Sequence, residues 1–473
     1  MSHPKKKLFI LLTDGIGLRN FVFSPFLDSV PDNWEVVFWH HVPYDFASEG
    51  LAEVPLPQPK LHLLTDSWKN VRKQVELNLN KARANDGVYD TYRFAPNLRT
   101  WRQKVKWATT QWLIRQNNAD EKRPIIEAKL AAYERKTAYY KACIDQLKAH
   151  QPDLVLSTNQ RPVIGIAPIT AAKDLGIPTA SMVFSWDNLP KATLVLDTDY
   201  YFVWSDHMKR EMQTYYPAKK AEKTIVTGTP QFELHGHAKG IVSKETFYQQ
   251  HGLNPDVTYL CYSGDDYTTS PDDPDYLRDV AKAIRKGNAL GHRYGLLFRR
   301  CPVDFSARYD EVLAEYSDVI VPVNPIWEVQ GSNWSAVLPT SADADLLRNT
   351  IAHTAMVINL GSSMVFDYAL YDKPCAYIAF NSATQREANW SIEQIYNYVH
   401  FRSMPSKEAV VWLTDPDTIW EKLYEALREP APFVAAAQAW FKVIHTQPYG
   451  ATSSRIWQAI QSISNSSTES STR

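Results

Sequence analysis

Residues 355–378 (AMVINLGSSMVFDYALYDKPCAYI) contain the pattern that most limits what this chain can fold into. The apolar run at 356–358 predicts a buried strand, and after the turn at 361–363 apolar residues recur at helical spacing. Pro374 ends that helix, and a second apolar run follows it. A strand, a turn, a helix and a further strand in this order are typical of an α/β sheet.

The turn in this stretch is a candidate anion site. Backbone N–H groups at the start of a helix lack helical partners, and the helix dipole makes that end positive. Gly361 lets the backbone approach a phosphate closely, and Ser362 and Ser363 add hydroxyl donors. A serine that only caps the helix would leave the same pattern, so both interpretations stay open.

Composition and charge argue against several classes of protein. The chain of 473 residues carries 51 Lys and Arg against 52 Asp and Glu, and this balance does not favour nucleic-acid binding. The four cysteines are far apart and form no C-x-x-C pair, which predicts reduced thiols in a cytoplasmic protein. The early apolar run at 8–12 is too short for a signal peptide or a spanning helix.

The alternation of strand and helix patterns predicts the domain organisation. It occupies residues 1–235 and again residues 241–430, so we expect an α/β fold with two Rossmann-like, doubly wound domains. A helical insertion at about 66–150 interrupts the first domain. The C-terminal helices at 431–463 are candidates for crossing back to the first domain, and residues 464–473 are expected to form a disordered polar tail.

The insertion contains a basic segment at 98–115 that is rich in tryptophan, followed by one long predicted helix over 121–150. The apolar residues of the basic segment recur on one helical stripe: Leu98, Trp101, Val105, Ala108 and Trp112. A helix of this kind can lie on the inner face of an anionic membrane, which would make the protein peripheral. Alternatively, the stripe packs on the domain and the basic side chains face water.

Two polar loops follow predicted strands of the first domain: Asp14, Gly15, Arg19 and Asn20 in one, and Trp186, Asp187 and Asn188 in the other. Open α/β sheets bind ligands at the carboxyl ends of their strands, so both loops are candidate sites. The first loop lacks the third glycine of a dinucleotide fingerprint. Its Asp-Gly step is also a common turn, so a purely structural role for Asp14 stays open.

Several short motifs stand in a definite order along the chain: 185–188 (SWDN), 201–205 (YFVWS) with 208–211 (MKRE), 225–230 (IVTGTP), 297–300 (LFRR), 359–367 (NLGSSMVFD) and 373–374 (KP). This order resembles bacterial GT-B glycosyltransferases of the surface-polysaccharide kind, including relatives of the CDP-glycerol glycerophosphotransferases. The resemblance covers about residues 150–460 and leaves out the helical insertion. One departure is Cys301, because relatives often have R-x-H-P where this chain has Arg-Cys-Pro.

The resemblance implies two domains facing across a cleft, an acceptor side followed by a donor side, and a hexosyltransferase-type reaction with a nucleotide-sugar donor. It implies a carbohydrate or lipid-linked acceptor, with neither a metal nor another cofactor. On this resemblance we assign the donor diphosphate to Gly361, Ser362 and Ser363 with Arg299 or Arg300, although a surface salt bridge is an alternative for the two arginines. Asp367 is placed near the ribose, or alternatively complements the helix dipole. For the general base that deprotonates the acceptor, Asp14 is the first candidate and Asp187 the second.

Other functions remain open at this point. A nucleotide-sugar 2-epimerase would use the same scaffold without an acceptor, and a non-catalytic protein would bind the nucleotide-sugar without turnover. A possible metal cluster consists of Glu233, His235 and His237, although their spacing is not of the H-E-x-x-H type. The acidic loop at 263–274 is interpreted as a mobile lid or a solvated loop, because carboxylates repel a diphosphate.

Overall fold

A computed structural model describes residues 4–93, 96, 98–237, 240–329 and 337–471. The chain divides into two compact units: unit 1 comprises Met1–Glu233 with Ile444–Arg473, and unit 2 comprises Leu234–Val443. Each unit is built on one parallel sheet with helices around it. The prediction of two doubly wound parallel-sheet domains, the first with a helical insertion, is confirmed.

Unit 1 contains a parallel sheet of seven strands in the order β3-β2-β1-β4-β5-β6-β7. The strands are β1 (Lys6–Leu12), β2 (Trp34–His40), β3 (Ala52–Pro55), β4 (Leu154–Ser157), β5 (Thr179–Met182), β6 (Tyr200–Val203) and β7 (Thr224–Val226). Chain order runs one way from β1 to β3 and the other way from β4 to β7, so the direction reverses between β1 and β4. A reversal of this kind is where open α/β sheets bind ligands.

The helices of unit 1 before the second unit are α1 (Ile16–Phe21), α2 (Thr65–Ala84), α3 (Trp101–Asn117), α4 (Arg123–Glu134), α5 (Ala138–His150), α6 (Ile166–Asp174) and α7 (Asp206–Tyr215). Strand residues such as Phe9 and Val155 form one core with Val71 of α2, Leu147 of α5 and Ile169 of α6. Burying each large apolar side chain stabilises the unit by about 1.5–3 kcal/mol, so the insertion is part of this core.

Unit 2 contains a parallel sheet of six strands in the order β10-β9-β8-β13-β14-β15 and an antiparallel pair, β11 and β12. The strands are β8 (Thr258–Ser263), β9 (Tyr294–Arg299), β10 (Ile320–Pro322), β11 (Trp327–Val329), β12 (Val337–Pro339), β13 (Val357–Asn359), β14 (Cys375–Ile378) and β15 (Val411–Leu413). In this sheet the chain order reverses between β8 and β13.

The remaining helices are α8 (Lys244–Gln250), α9 (Asp273–Ala289), α10 (Asp310–Glu315), α11 (Ser341–His353), α12 (Met364–Ala369), α13 (Ile392–Tyr396), α14 (Ile419–Arg428), α15 (Ala431–Ile444) and α16 (Thr452–Ser471). The chain enters unit 1 again at Ile444, so α16 belongs to unit 1. No helix in the described part of the chain is long and apolar enough to span a bilayer.

Two expectations about the helices are wrong. The segment 121–150 forms α4 and α5 rather than one helix, because Thr137 starts a new helix by accepting the N–H of Tyr140 at 3.0 Å. The tail expected to be disordered from residue 464 is helical through Ser471. Ile460 and Ile463 on the preceding turns are buried, and Lys6 Nζ donates to Ser464 Oγ at 2.9 Å, so the helix is held beyond its last apolar residue.

Candidate functional site

The reversal point of the unit 1 sheet brings Asp14 and Asn159 together. Asp14 follows β1 and Asn159 follows β4, which pairs directly with β1. Asp14 Oδ2 accepts a hydrogen bond from Asn159 Nδ2 at 2.7 Å, and its Oδ1 accepts the N–H of Ile16 at 3.1 Å. A carboxylate with defined partners therefore lies at the position where the fold predicts a ligand.

Gly17 explains how this loop is held so close to the sheet. A β-carbon at Gly17 would lie 2.2 Å from Leu12 Cδ2 and 3.0 Å from Thr158 Oγ1. Only glycine permits this approach of α1 to the carboxyl ends of β1 and β4. The second glycine of the loop therefore positions Asp14 rather than contacting a dinucleotide.

The pKa of Asp14 is raised above its ordinary value, mainly because the surrounding protein replaces the water that would solvate the charge. The hydrogen bond from Asn159 and the positive charge of Arg161 oppose this rise. A carboxylate with a raised pKa accepts protons more readily at neutral pH than an ordinary aspartate does. This is the property expected of a general base, and the burial that causes it costs stability while the group is charged.

The second predicted loop of unit 1 is held by internal contacts. Asp187 forms an ion pair with Lys191 and accepts a hydrogen bond from Asn188 Nδ2 at 2.8 Å. Asn188 and Trp186 are both buried, and Asn188 Oδ1 accepts from Gln160 Nε2 at 3.0 Å. A buried Trp186 offers no face for stacking on a sugar in this arrangement, whereas Asp187 stays a candidate base whose charge Lys191 already offsets.

The remaining predicted residues of unit 1 lie on the first loop and helix. Gly15 precedes α1, Asn20 is buried on it, and Arg19 Nε lies 3.5 Å from Asn20 Oδ1. These residues are close to Asp14 along the chain. Their acceptor-side role stays a prediction.

Asn159, Gln160 and Arg161 were missed as candidates in the sequence. They follow β4 directly, and Gln160 joins two loops by donating to Asn188 and by accepting the N–H of Phe184 at 2.8 Å. The sequence does contain a feature that indicates them, because they form a polar run (NQR) at the carboxyl end of an apolar strand.

A group of basic side chains lies around Lys73 of α2: Lys69, Arg161 and Lys191 are within electrostatic reach of it. Lys69 and Lys73 are one turn apart on α2, so they share one side of that helix. Burial and the positive charges of the other three lower the pKa of Lys73 to about 8. Arg161 also acts on Asp14, and the positive potential around Lys73 and Arg161 favours a ligand that carries negative charge.

The reversal point of the unit 2 sheet contains the Gly361 turn, which follows β13. Gly361 has a φ of 68°, in the region that favours glycine, and a β-carbon there would lie 3.0 Å from Phe401. The N–H of Ser362 donates to Asn359 Oδ1 at 2.9 Å, and Tyr377 donates its hydroxyl to the carbonyl of Ser362 at 2.8 Å. These bonds fix the shape of the turn.

The same contacts limit how the turn can hold an anion. The amide of Ser362 is already donated, and Ser362 Oγ accepts the N–H of Met364 at 3.4 Å in a local serine turn. The helix that follows, α12, spans six residues, so its dipole is small. At this predicted anion site, the hydroxyls of Ser362 and Ser363 are therefore better placed to bind than the backbone amides. A basic side chain near the turn is also needed.

The two predicted arginines differ in their surroundings. Arg299 ends β9 and donates from Nη2 to both oxygens of Asp343, at 2.9 and 2.8 Å, with side chains only 5% and 7% exposed. Arg300 is half-buried, donates to the Ser306 carbonyl at 3.3 Å, and lies over the Tyr309 ring. Arg299 Nη1 and Arg300 Nε are both buried without a hydrogen-bond partner in the described chain, so this property does not separate the two arginines. Arg300 is the better phosphate candidate because its guanidinium is not paired with a buried carboxylate.

Asp367 is buried and faces His235. Its Oδ1 lies 2.8 Å from His235 Nε2, and Tyr371 Oη lies 3.4 Å from the other ring nitrogen of His235. The predicted contact with a ribose therefore requires Asp367 to leave this histidine or to share it. Glu233 instead bonds the N–H and hydroxyl of Ser453, so Glu233 and His235 have separate partners. No metal-binding cluster occurs within the described ranges.

The acidic loop after β8 is anchored where it meets α9, whereas Tyr267 in its middle is 48% exposed. That the loop acts as a mobile lid stays a prediction. Asp273 is buried and accepts from Tyr309 at 2.6 Å, and Asp272 accepts from the backbone N–H of Arg386 at 2.9 Å. Arg308 donates to the Ser270 carbonyl at 2.7 Å. Hydrogen bonds from arginines and tyrosines compensate the negative charges of these acidic residues. Burial raises the pKa of Asp265.

The sequence matches no protein-family model and no curated protein. Solved structures with a similar fold include the Staphylococcus aureus MnaA–UDP complex (11% identity, 97% of each chain covered, TM-score 0.51). A putative UDP-N-acetylglucosamine 2-epimerase from Listeria monocytogenes is similar at 9% identity, with 97% of this chain and 96% of that chain covered and a TM-score of 0.55. A glycosyltransferase from Rickettsia africae is similar at 9% identity, with 98% and 99% covered and a TM-score of 0.51. At these identities the likeness shows the fold, and the chain has the GT-B fold with one Rossmann-like sheet in each unit.

Proposed function

We propose that the protein is a glycosyltransferase that moves a sugar from a nucleotide-sugar donor to a carbohydrate or lipid-linked acceptor. The observation that carries this proposal is Asp14, a half-buried carboxylate of raised pKa at the reversal point of the unit 1 sheet. The ordered motifs similar to those of surface-polysaccharide enzymes support synthesis of a polysaccharide or glycolipid, on the cytoplasmic side of the membrane.

In this reaction Asp14 accepts the proton of the acceptor hydroxyl as that oxygen attacks the sugar. General base catalysis of this kind contributes about 10²–10⁴-fold to a rate. Asn159 orients the carboxylate through its 2.7 Å hydrogen bond. Lys73 and Arg161 supply a positive potential that attracts an acceptor with a negative group.

The donor is assigned to unit 2, at the reversal point between β8 and β13. Negative charge develops on the departing diphosphate and has to be stabilised for the bond to the sugar to break. Arg300, Ser362 and Ser363 are the groups proposed to do this, because a guanidinium matches phosphate geometry and hydroxyls donate to it. Arg299 contributes by keeping the end of β9 in place through Asp343. A metal is not required in this proposal.

A 2-epimerase is the second candidate, since several solved structures with the same fold are named as UDP-N-acetylglucosamine 2-epimerases. This reaction also needs a base but no acceptor, so Asp14 fits it as well. A third candidate is a non-catalytic protein that binds a nucleotide-sugar and recruits partners.

The three candidates are separated by one set of incubations with UDP- and GDP-linked sugars, beginning with UDP-N-acetylglucosamine. A transferase releases free nucleoside diphosphate only when an acceptor extract is added, as measured by coupled nucleotide assay. An epimerase forms the C2 epimer without acceptor, visible by proton NMR. Binding by calorimetry with neither product indicates the non-catalytic protein and contradicts the proposal.

A further inference from the structure

Helix α3 (Trp101–Asn117) presents its apolar stripe to solvent. Trp101, Val105 and Trp112 are 70%, 54% and 59% exposed, although tryptophan and valine are usually buried. At 3.6 residues per turn, these three residues lie within an arc of about 40° on the helix. The expectation that this stripe packs into the domain core is therefore wrong for the described residues.

The opposite side of α3 is the one that packs against the protein. Ile114 and Asn117 are the buried residues of the helix, and Ile114 joins the core formed with α2 and α4. On the helix these two positions lie roughly 120–180° from Trp101 and Val105. The C-terminal part of α3 is thus held by the face opposite Trp101 and Trp112, whereas Trp107, on the same side as Ile114 but nearer the N-terminus, is 43% exposed.

The charges around the stripe have one sign. The helix sequence, WRQKVKWATTQWLIRQN, contains four basic residues and no acidic one. Arg102 and Lys104 lie beside the stripe, and the Arg102 guanidinium is 5.7 Å from the centroid of the Trp101 ring. A surface of this composition repels a second copy of itself and attracts a negatively charged partner.

We propose that α3 docks on an anionic phospholipid surface, lying in the plane of the interface. Tryptophan side chains prefer the headgroup region, where the ring is apolar and the indole N–H stays hydrated. The basic side chains reach anionic headgroups on either side. With 17 residues and four basic groups, α3 lies on the membrane and does not cross it. The inference goes beyond the proposed transferase activity and does not depend on it.

The test is flotation of the full-length protein with phosphatidylcholine vesicles that contain or lack 30% phosphatidylglycerol. Wild type is expected to float with the anionic vesicles only and to be released by 0.5 M salt, which screens exposed charges. Replacing Arg102, Lys104 and Arg115, which lie beside the stripe, together by Gln should lower binding by roughly 100-fold, since each cation near an anionic surface contributes about fivefold. Trp101→Ala with Trp112→Ala should lower binding by at least about tenfold.

The matched control is Leu290→Ala with Phe305→Ala, two exposed apolar residues of unit 2 that should leave binding unchanged. All variants keep Ile114, and circular dichroism checks that the helices remain. Wild-type binding that is equal for both vesicle types overturns the proposal. A loss in the basic-residue variant with none in the tryptophan variant also overturns it, because the protein then adsorbs to the charged surface without inserting its tryptophan face. Nucleotide-sugar turnover in solution is unaffected by either outcome.

Discussion

Replacing Arg299 by alanine should unfold unit 2 at lower temperature rather than weaken ligand binding directly. Arg299 donates to both oxygens of Asp343, and both side chains are buried. The Asp343 carboxylate also accepts the N–H of Ile326 at 2.9 Å and the indole N–H of Trp327 at 2.6 Å. Without the Arg299 guanidinium, these two hydrogen bonds are what the described residues still provide. A carboxylate buried with too few partners is strongly unfavourable.

The magnitude follows from this geometry. Breaking a buried ion pair by removing one partner costs about 3–5 kcal/mol. In a domain of 150–250 residues, each kcal/mol moves the melting temperature by roughly 2–4 °C, which gives a decrease of about 6–20 °C. Removing the charge of the partner as well, as in Arg299→Met with Asp343→Asn, should restore much of that loss because no buried charge is left unpaired.

The assay is thermal unfolding followed by calorimetry and tryptophan fluorescence, with nucleoside diphosphate affinity measured on the folded protein. The control is Arg300→Ala, which removes the neighbouring guanidinium without breaking a buried ion pair. We expect this variant to melt near wild type and to bind nucleoside diphosphate less tightly. The reasoning is refuted if Arg299→Ala melts with wild type, or if it loses affinity while Arg300→Ala keeps it.

Three further changes test the electrostatics of unit 1. Asp14→Asn should lower turnover by roughly 10²–10⁴-fold, with donor affinity kept and stability unchanged or higher because a buried charge is removed; full turnover excludes Asp14 as the base. Lys73, with its pKa of about 8, should react with an amine-acylating reagent at pH 8 faster than exposed Lys282 does, as measured by mass spectrometry. Inorganic pyrophosphate should slow the acylation of Lys73. Equal acylation rates for the two lysines contradict the lowered pKa. Burial lowers the pKa of His445 from 6.5 to about 4, so between these values the unfolded chain takes up a proton that the folded chain does not. Stability should therefore fall by roughly 3 kcal/mol as pH drops through this window, and His445→Gln should remove that part of the slope in urea unfolding curves; an unchanged slope contradicts it.

The sheets could be predicted from sequence because their strands are short, uniformly apolar runs. The run at 356–358 forms β13, and the first apolar run forms β1, each followed by a glycine-containing loop. The strand β3 (Ala52–Pro55) was not predicted, since it is an edge strand with one buried residue and no apolar pattern.

The partners of the candidate side chains could not be predicted, because they come from distant parts of the chain. Arg299 and Asp343 are 44 positions apart, and His235 and Asp367 are 132 apart. Sequence alone placed Arg299 at the end of a strand and Asp367 one turn into the helix after Gly361, but gave no sign that each faces a buried partner. The direction of the α3 stripe was equally hidden, since periodicity shows that a face is apolar and not what covers it.

The most direct test is a crystal structure of the protein soaked with a nucleoside diphosphate. We predict phosphate oxygens at hydrogen-bond distance from Arg300 and from the hydroxyls of Ser362 and Ser363, at the reversal point of the unit 2 sheet. A diphosphate bound away from the 361–363 turn would contradict the central claim of this account.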